Sequence, residues 1–470
     1  PIFLLDAVAR LSFAAPRLAA LLESAGVVAL TGTIELPGAD LAVSGSTVTV
    51  ASGTTIDTRG ADRDGAITLT ATDARPGSSA IVAVTGAQLL GGAVTLTAQA
   101  SSASGARGTA IAATTVTDST IDASGDVTLS SSASADLGAT GIASFVAGGS
   151  SAITRVGGAS QITTPGTVRI EARNQASAVA QADNASGAGL ASADLVRVTQ
   201  AIIEGAQRID ASGLLLLATA SGTLRVVATG TQGAVPTGSD LSGLALAAAP
   251  TADAVAVGRA FVETVARVAP SAQITLGGGN VTLQADSSFD ASVTAAGHAG
   301  GVAALVVNDT TGSSLGRNAD LAGATDLSLL ARTHNSATAD SATGWSVVSS
   351  TVTTTAAVEQ GAPLVLSGDL ALTASQDAVA RATGATALTL GTHRVVVLLD
   401  RAATVAGSVD LSAAGVSTTS AFATTSVAPA LVQRGLSAPA QLAAIVARRA
   451  AASPQPAVRV GTAAAAAPPV

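Results

Sequence analysis

Apolar and polar residues alternate in short runs along this chain, and each run is entered through a small turn. The clearest case is "IDASGDVTLSSSASA" at 121–135, with a near copy, "IDASGLLLLATASGT", at 209–223. In the first, alternation places Val127 and Leu129 on one face of a strand and Thr128 on the other. The glycine, with Ser or Asp beside it, permits a tight corner before the strand. The phrase therefore predicts strand, turn, strand.

Looser versions follow the same grammar, among them "TIDTRGADRDGAITLTA" (55–71), "SQITTPGTVRIEA" (160–172), "AQITLGGGNVTLQA" (272–285) and "APLVLSGDLALTA" (362–374). The apolar residues that open the strand after each turn are Ile67, Val94, Val127, Val168, Leu215, Val281, Leu327, Leu370 and Val409. Their spacings, 27, 33, 41, 47, 66, 46, 43 and 39, give a loose period in the low forties. The long step holds "GTQGAVPTGSDLSG" (230–243), which reads as a surface insertion. Between phrases, Gly-led apolar stretches such as "GIASFVAGGSSAITRV" (141–156) supply further strands.

A unit of this kind cannot bury its apolar face alone. Stacked along an axis, such units form a continuous core of Val, Ile, Leu and Ala ladders, with rungs ~4.8 Å apart. The expected fold is all-β: a parallel β-helix (β-solenoid) over 27–425, two coils of roughly twenty residues per repeat, and a rod of roughly 95 Å. Polar runs such as "SSSASA" and "TVTTTA" are expected to coat its faces with hydroxyls.

The ends read differently. Leu4, Val8, Leu11, Ala15, Leu18 and Leu22 follow steps of four and three, which predicts helix over 2–25 and a helical cap or docking segment over 1–26. Pro16 is placed to start a second short helix, with Gly26 past its end. Over 426–470 the expectation is a short helix at 437–452, with Leu442, Ile445 and Val446 on one face, then an Ala/Pro-rich tail.

Composition sharpens this picture. Hydrophobic residues make up 48% but aromatics only 1%, which suits a thin core better than the wide core of a β-sandwich or the aromatic-marked blades of a propeller. With 23 basic and 31 acidic residues the net charge is 23 − 31 = −8. An acidic chain with no basic stripe and few stacking rings is poorly suited to nucleic acid. No Cys is present, which excludes disulfides and thiolate metal sites. No apolar stretch is long enough for a membrane span, because Arg10, Arg17 and Glu23 interrupt the N-terminal one.

The Ala-, Gly-, Ser- and Thr-rich run with its "SGDVTL"-type phrases resembles the β-solenoid repeats of large bacterial surface adhesins, the filamentous-haemagglutinin-like exoproteins and autotransporter passengers. The resemblance covers about 27–425. It implies a secreted, cell-surface structural or adhesive protein that associates with itself into fibres or engages surface glycans or other cells.

Candidate chemistry is thin, and no catalytic, cofactor or metal residue is assigned. His298, His334 and His393 each stand alone in sequence. Asp57, Asp62 and Asp64 cluster before Gly65, a composition that hard cations such as Ca²⁺ favour, but Arg59 and Arg63 offset the charge and the spacing completes no calcium loop. Asp309 and Asp320 are weaker candidates for such a site. Trp345, the sole Trp, reads as a core anchor or a sugar-stacking platform. His393, Arg394, Asp400 and Arg401 read as charges flanking a buried strand. "TLTAT" (68–72) and "VTTTA" (352–356) raise the idea of water-ordering threonine ladders, which the irregular spacing opposes. The alternative function is a carbohydrate-active parallel β-helix enzyme, a polysaccharide lyase or glycoside hydrolase, which needs convergent carboxylates in a groove.

Overall fold

In the computed structural model every strand pairing is parallel, and each strand hydrogen-bonds to its counterpart one coil further along the chain. The structure describes residues 26–103, 105–205, 208–231, 252–298 and 300–423, and the backbone of 3–5, 20–23 and 457–460. The fold is a parallel β-solenoid. Each coil runs along one long face, turns, returns along a second long face, and closes through a short third strand. One coil, for example, comprises Thr167–Asn184, Gly189–Ile203 and Arg208–Ala211.

Pairing corrects the expected coil size. Val94 pairs with Val127 and Val127 with Val168, so each sequence period is one wide coil, not two of about twenty residues. Strands on the first face lengthen from Ala20–Glu23 and Leu41–Gly45 through Ile67–Asp73 and Val94–Ala103 to the 18 residues of Thr167–Asn184. Eleven rungs lie on that face among the described residues, from Ala20–Glu23 to Val409–Ala423. Ten spacings of ~4.8 Å give a height of about 48 Å, while 18 residues at ~3.3 Å span about 60 Å. The body is a wedge wider at its broad coils than it is tall, not a rod of 95 Å.

Two columns on the first face continue from coil to coil. Leu41, Ile67, Val94, Val127 and Val168 stack in one; Val43, Leu69, Leu96, Leu129 and Ile170 stack in the other. All are buried, and they meet the short-strand column Ile56, Leu89, Ile121, Ile162, Ile209 and Ile274. This triangular head has the same aliphatic filling in narrow and wide coils. Wide coils add a two-layer extension beyond it, lined with small residues such as Ala176, Ala178, Ala180 and Ala193. As expected, Val127 and Leu129 face inward and Thr128 does not. One register differs: Val168 pairs with Leu214, not Leu215. In the continuous run "GLLLLA" alternation cannot say which leucines face the core.

The corner between the second face and the short strand needs a left-handed residue. Gly86 and Gly158 supply it in two coils, at φ of 58° and 65°, and Asp118, Ser271 and Asn318 in three others, at 50°, 64° and 55°. The Asp of the "SGD" phrase has a different task. Asp126 Oδ1 accepts the Thr167 N–H at 2.8 Å, Asp326 Oδ1 that of Asp369 at 2.8 Å, and Asp369 Oδ1 that of Ser408 at 2.7 Å. Each carboxylate thus holds the corner amide of the next coil.

The ends differ from expectation where they are described. Phe3–Leu5 and Ala20–Glu23 are strands paired with Val28–Leu30 and Leu41–Ser44, so these parts of the expected N-terminal helices are rungs instead. Pairing to a formed rung outweighs the weak helical spacing. Ala457–Val460, expected in the tail, pairs with Val396–Leu399. The expected helix at 437–452 and most of the insertion at 230–243 lie outside the described residues.

Candidate functional site

The residues singled out in the sequence do not converge. Asp57 accepts the Arg59 guanidinium (Oδ2 to Nη2, 2.8 Å), which lowers its carboxyl pKa, and Arg59 also reaches Asp122 at 3.7 Å. Asp64 accepts the Gly60 N–H at 3.2 Å, and Asp62 is exposed. Other outer-face acids are paired in the same way, Asp194 with Arg259 and Glu204 with Arg155 and Arg267. His334 lies on the outer face, with Asp377 at 3.2 Å and Asp290 at 3.7 Å. Among the described residues no group of three or more His, Asp or Glu is arranged to hold a metal ion. No described helix is long and apolar enough to cross a membrane.

Sequence reasoning missed a polar seam inside the extension. Thr199, Thr264, Thr311 and Thr354 stack on successive rungs and face inward, so this threonine ladder is closed to solvent. Ser131 likewise faces inward and bonds Thr154 Oγ1 at 2.8 Å, although its run was expected on the surface. Arg197 is wholly buried. It climbs across the core past Gly222, where an added Cβ would meet Ala176 O at 2.2 Å and Arg197 Nη1 at 2.9 Å. Its Nη2 donates to Ser287 Oγ at 3.0 Å and its Nη1 to Ser288 O at 3.1 Å, and its guanidinium lies 5.3 Å from the centre of the Phe289 ring.

Asp309 completes the cluster. Asn335 Nδ2 donates to it at 3.1 Å, and the hydroxyls of Ser287 and Thr311 lie within 3.4 Å. Burial pushes the Asp309 carboxyl up and draws Arg197 down to about 10, while each partially offsets the shift of the other. A cluster so enclosed has no route for a substrate. Its chemistry is cohesion across coils. The available signal was parity, since Ser131, Thr199 and Arg197 each sit an even number of residues from an apolar inward position on their own strand.

A groove of about 370 Å³ opens on the surface beside a break in the short-strand sheet. Asp320–Ala322 and Leu364–Leu366 fall in different sheets, although bonds on both sides of the break (Asn318 N–H to Gln360 O, 2.7 Å; Gly368 N–H to Thr325 O, 2.8 Å) keep the coils stacked. Pro363, in the groove wall, has no N–H to give to a ladder. Arg401 supplies donors nearby: its guanidinium bonds the carbonyls of Ala319 (2.8 Å), Gly316 (3.0 Å) and Glu359 (2.6 Å), tying three coils together. Asp320 is the one carboxylate lining the groove, and acid–base cleavage of a glycosidic bond uses two.

The last rung of the first face, Val409–Ala423, is the other candidate. Its inward positions stack on Leu370, Leu372, Ala378, Ala380 and Ala382, all wholly buried, yet they are themselves open or half-open. Of these inward positions Val409 is 53% exposed. Val416 and Phe422, in register with Asp377 and Thr383, are outer-face residues of the same rung, 65% and 52% exposed. No described strand pairs above this rung on its face.

No protein-family model, curated protein or solved structure matches this chain. The solenoid is therefore read from its own pairing, and the likeness to surface adhesins rests on the sequence phrases.

Proposed function

We propose that this chain is a non-enzymatic structural or adhesive protein of the cell surface, a β-solenoid body that works by stacking and contact and not by catalysis. One observation carries this reading. Its ionisable groups are largely spent on holding coils together: Asp126, Asp326 and Asp369 on corner amides, Arg401 across a sheet break, Arg197 and Asp309 inside the core. The hydroxyl- and Ala-rich faces favour contact with copies of the chain or with surface glycans. Incubation with a panel of acidic and neutral polysaccharides tests the reading. No new reducing ends or unsaturated products are expected, and binding to cells or glycans is expected without turnover. Depolymerisation that is lost on replacing Asp320 would establish the carbohydrate-active alternative.

A further inference from the structure

The two ends of the wedge do not match. At the N-terminal side the first-face rungs are four and five residues long, about 15 Å, whereas the terminal rung Val409–Ala423 has 15 residues, about 50 Å. Head-to-tail stacking would leave most of the wide edge unpaired. A second wide edge fits it along its whole length.

We propose that two copies join through Val409–Ala423 in antiparallel pairing about a two-fold axis, giving a closed dimer and not a filament; this rests on the structural reading above. The rung has the features of an edge left available for pairing. It holds one charged residue, Asp410, and no Pro, where exposed edges are usually blunted by charge, Pro or a bulge. The alternation also fits. An antiparallel edge keeps inward residues opposite inward residues only if paired residue numbers sum to an even value. The full-length register has the sum 832 and centres on Val416.

That register sets Leu411 opposite the second copy's Ala421, Ala413 opposite its Thr419 and Gly415 opposite its Ser417. It keeps the two Asp410 carboxylates ~40 Å apart, beyond the range of screened repulsion. A footprint of about 50 by 10 Å covers ~500 Å² on each copy, or ~1,000 Å² in all, the lower bound for a specific interface.

Sedimentation equilibrium on the full chain, together with single cysteines in this Cys-free sequence, tests the proposal. A mass twice 44.8 kDa is expected, without larger species as concentration rises. Oxidised Val416→Cys is expected to give a disulfide dimer on a non-reducing gel, because a residue on the two-fold axis meets its own copy within disulfide reach. Asp410→Cys is expected to stay uncross-linked. Thr419→Lys, at an exposed inward position, is expected to abolish the dimer while leaving the circular dichroism spectrum unchanged. A ladder of growing oligomers would overturn the proposal in favour of head-to-tail stacking. A monomer at every concentration would overturn it in favour of a solenoid end that is never shared between copies. Polysaccharide cleavage would refute the non-catalytic reading and leave the dimer result intact, so the two failures are distinguishable.

Discussion

The triangular head of each coil and the two-layer extension beside it are made from the same alternating strands but filled by different rules. In the head three strands enclose a space that needs bulky aliphatics, and the same columns of Leu, Val and Ile serve narrow and wide coils alike. In the extension two long faces meet directly, and small residues let them approach. There the core admits hydroxyls, Asn174, Arg197, Asp309 and Asn335. The difference shows how such a solenoid widens: residues are added beyond the head, and the head is left unchanged.

The largest contrast is expected from charge. Val127→Asp puts an unpaired carboxylate into the dry head and should cost more than about 4 kcal/mol, unfolding neighbouring coils, whereas Thr128→Asp one residue away should stay within about 0.5 kcal/mol. Urea unfolding followed by circular dichroism measures both. Equal losses would mean that the head is open to water.

The extension should respond to charge in the opposite sense. Arg197→Ala is expected to destabilise by about 3–5 kcal/mol, because it empties a large buried site, leaves Ser287 Oγ and Ser288 O without their donor and removes the positive charge that offsets the buried Asp309. Joint replacement, Arg197→Met with Asp309→Leu, should recover most of that loss. Additive losses in this double-mutant cycle would show that the two groups do not interact.

Volume separates the regions by a smaller margin. Leu129→Ala opens a cavity in the head and should cost about 2–5 kcal/mol. Ala178→Leu overfills the extension and should cost about 1–3 kcal/mol. The same denaturation series reports both, and a tolerated Ala178→Leu would show slack between the long faces.

The smallest effect concerns pH. His393 is buried in the extension of the penultimate rung; its Nδ1 lies 2.5 Å from Ser417 Oγ and its Nε2 3.4 Å from Ser350 Oγ. Burial lowers its pKa below the usual imidazole value of 6.5. The unfolded chain then binds the proton more readily than the folded one. Stability should hold above pH 6.5 and fall as pH drops from there through the folded pKa. His393→Gln should flatten that fall in melting curves taken between pH 7 and 4, and an unchanged slope would assign it to other groups.

The strand phrases, the inward setting of Val127 and Leu129, and the stacking of repeats into a solenoid were all legible in the sequence. Strand alternation and a recurring turn are local properties that survive without knowledge of the partner strand. The choice between Leu214 and Leu215, the inward turn of Ser131 and Thr354, and the use of Asp126 as a tie between coils were not legible. Each depends on which residue 20 to 70 positions away lies on the next rung, and a two-residue period fixes that faces alternate without fixing which face is closed.

Coil width belongs to the same class. One sequence period could have closed as two small triangles or as one triangle with an extension, and only pairing between whole coils selects the second. The taper follows from that selection, and with it the unequal ends. The sequence by itself determined the kind of strand and the direction of stacking, because both follow from local pattern. The tertiary structure alone decided what the middle of the core is made of and which edge is left open, because both depend on where distant rungs meet.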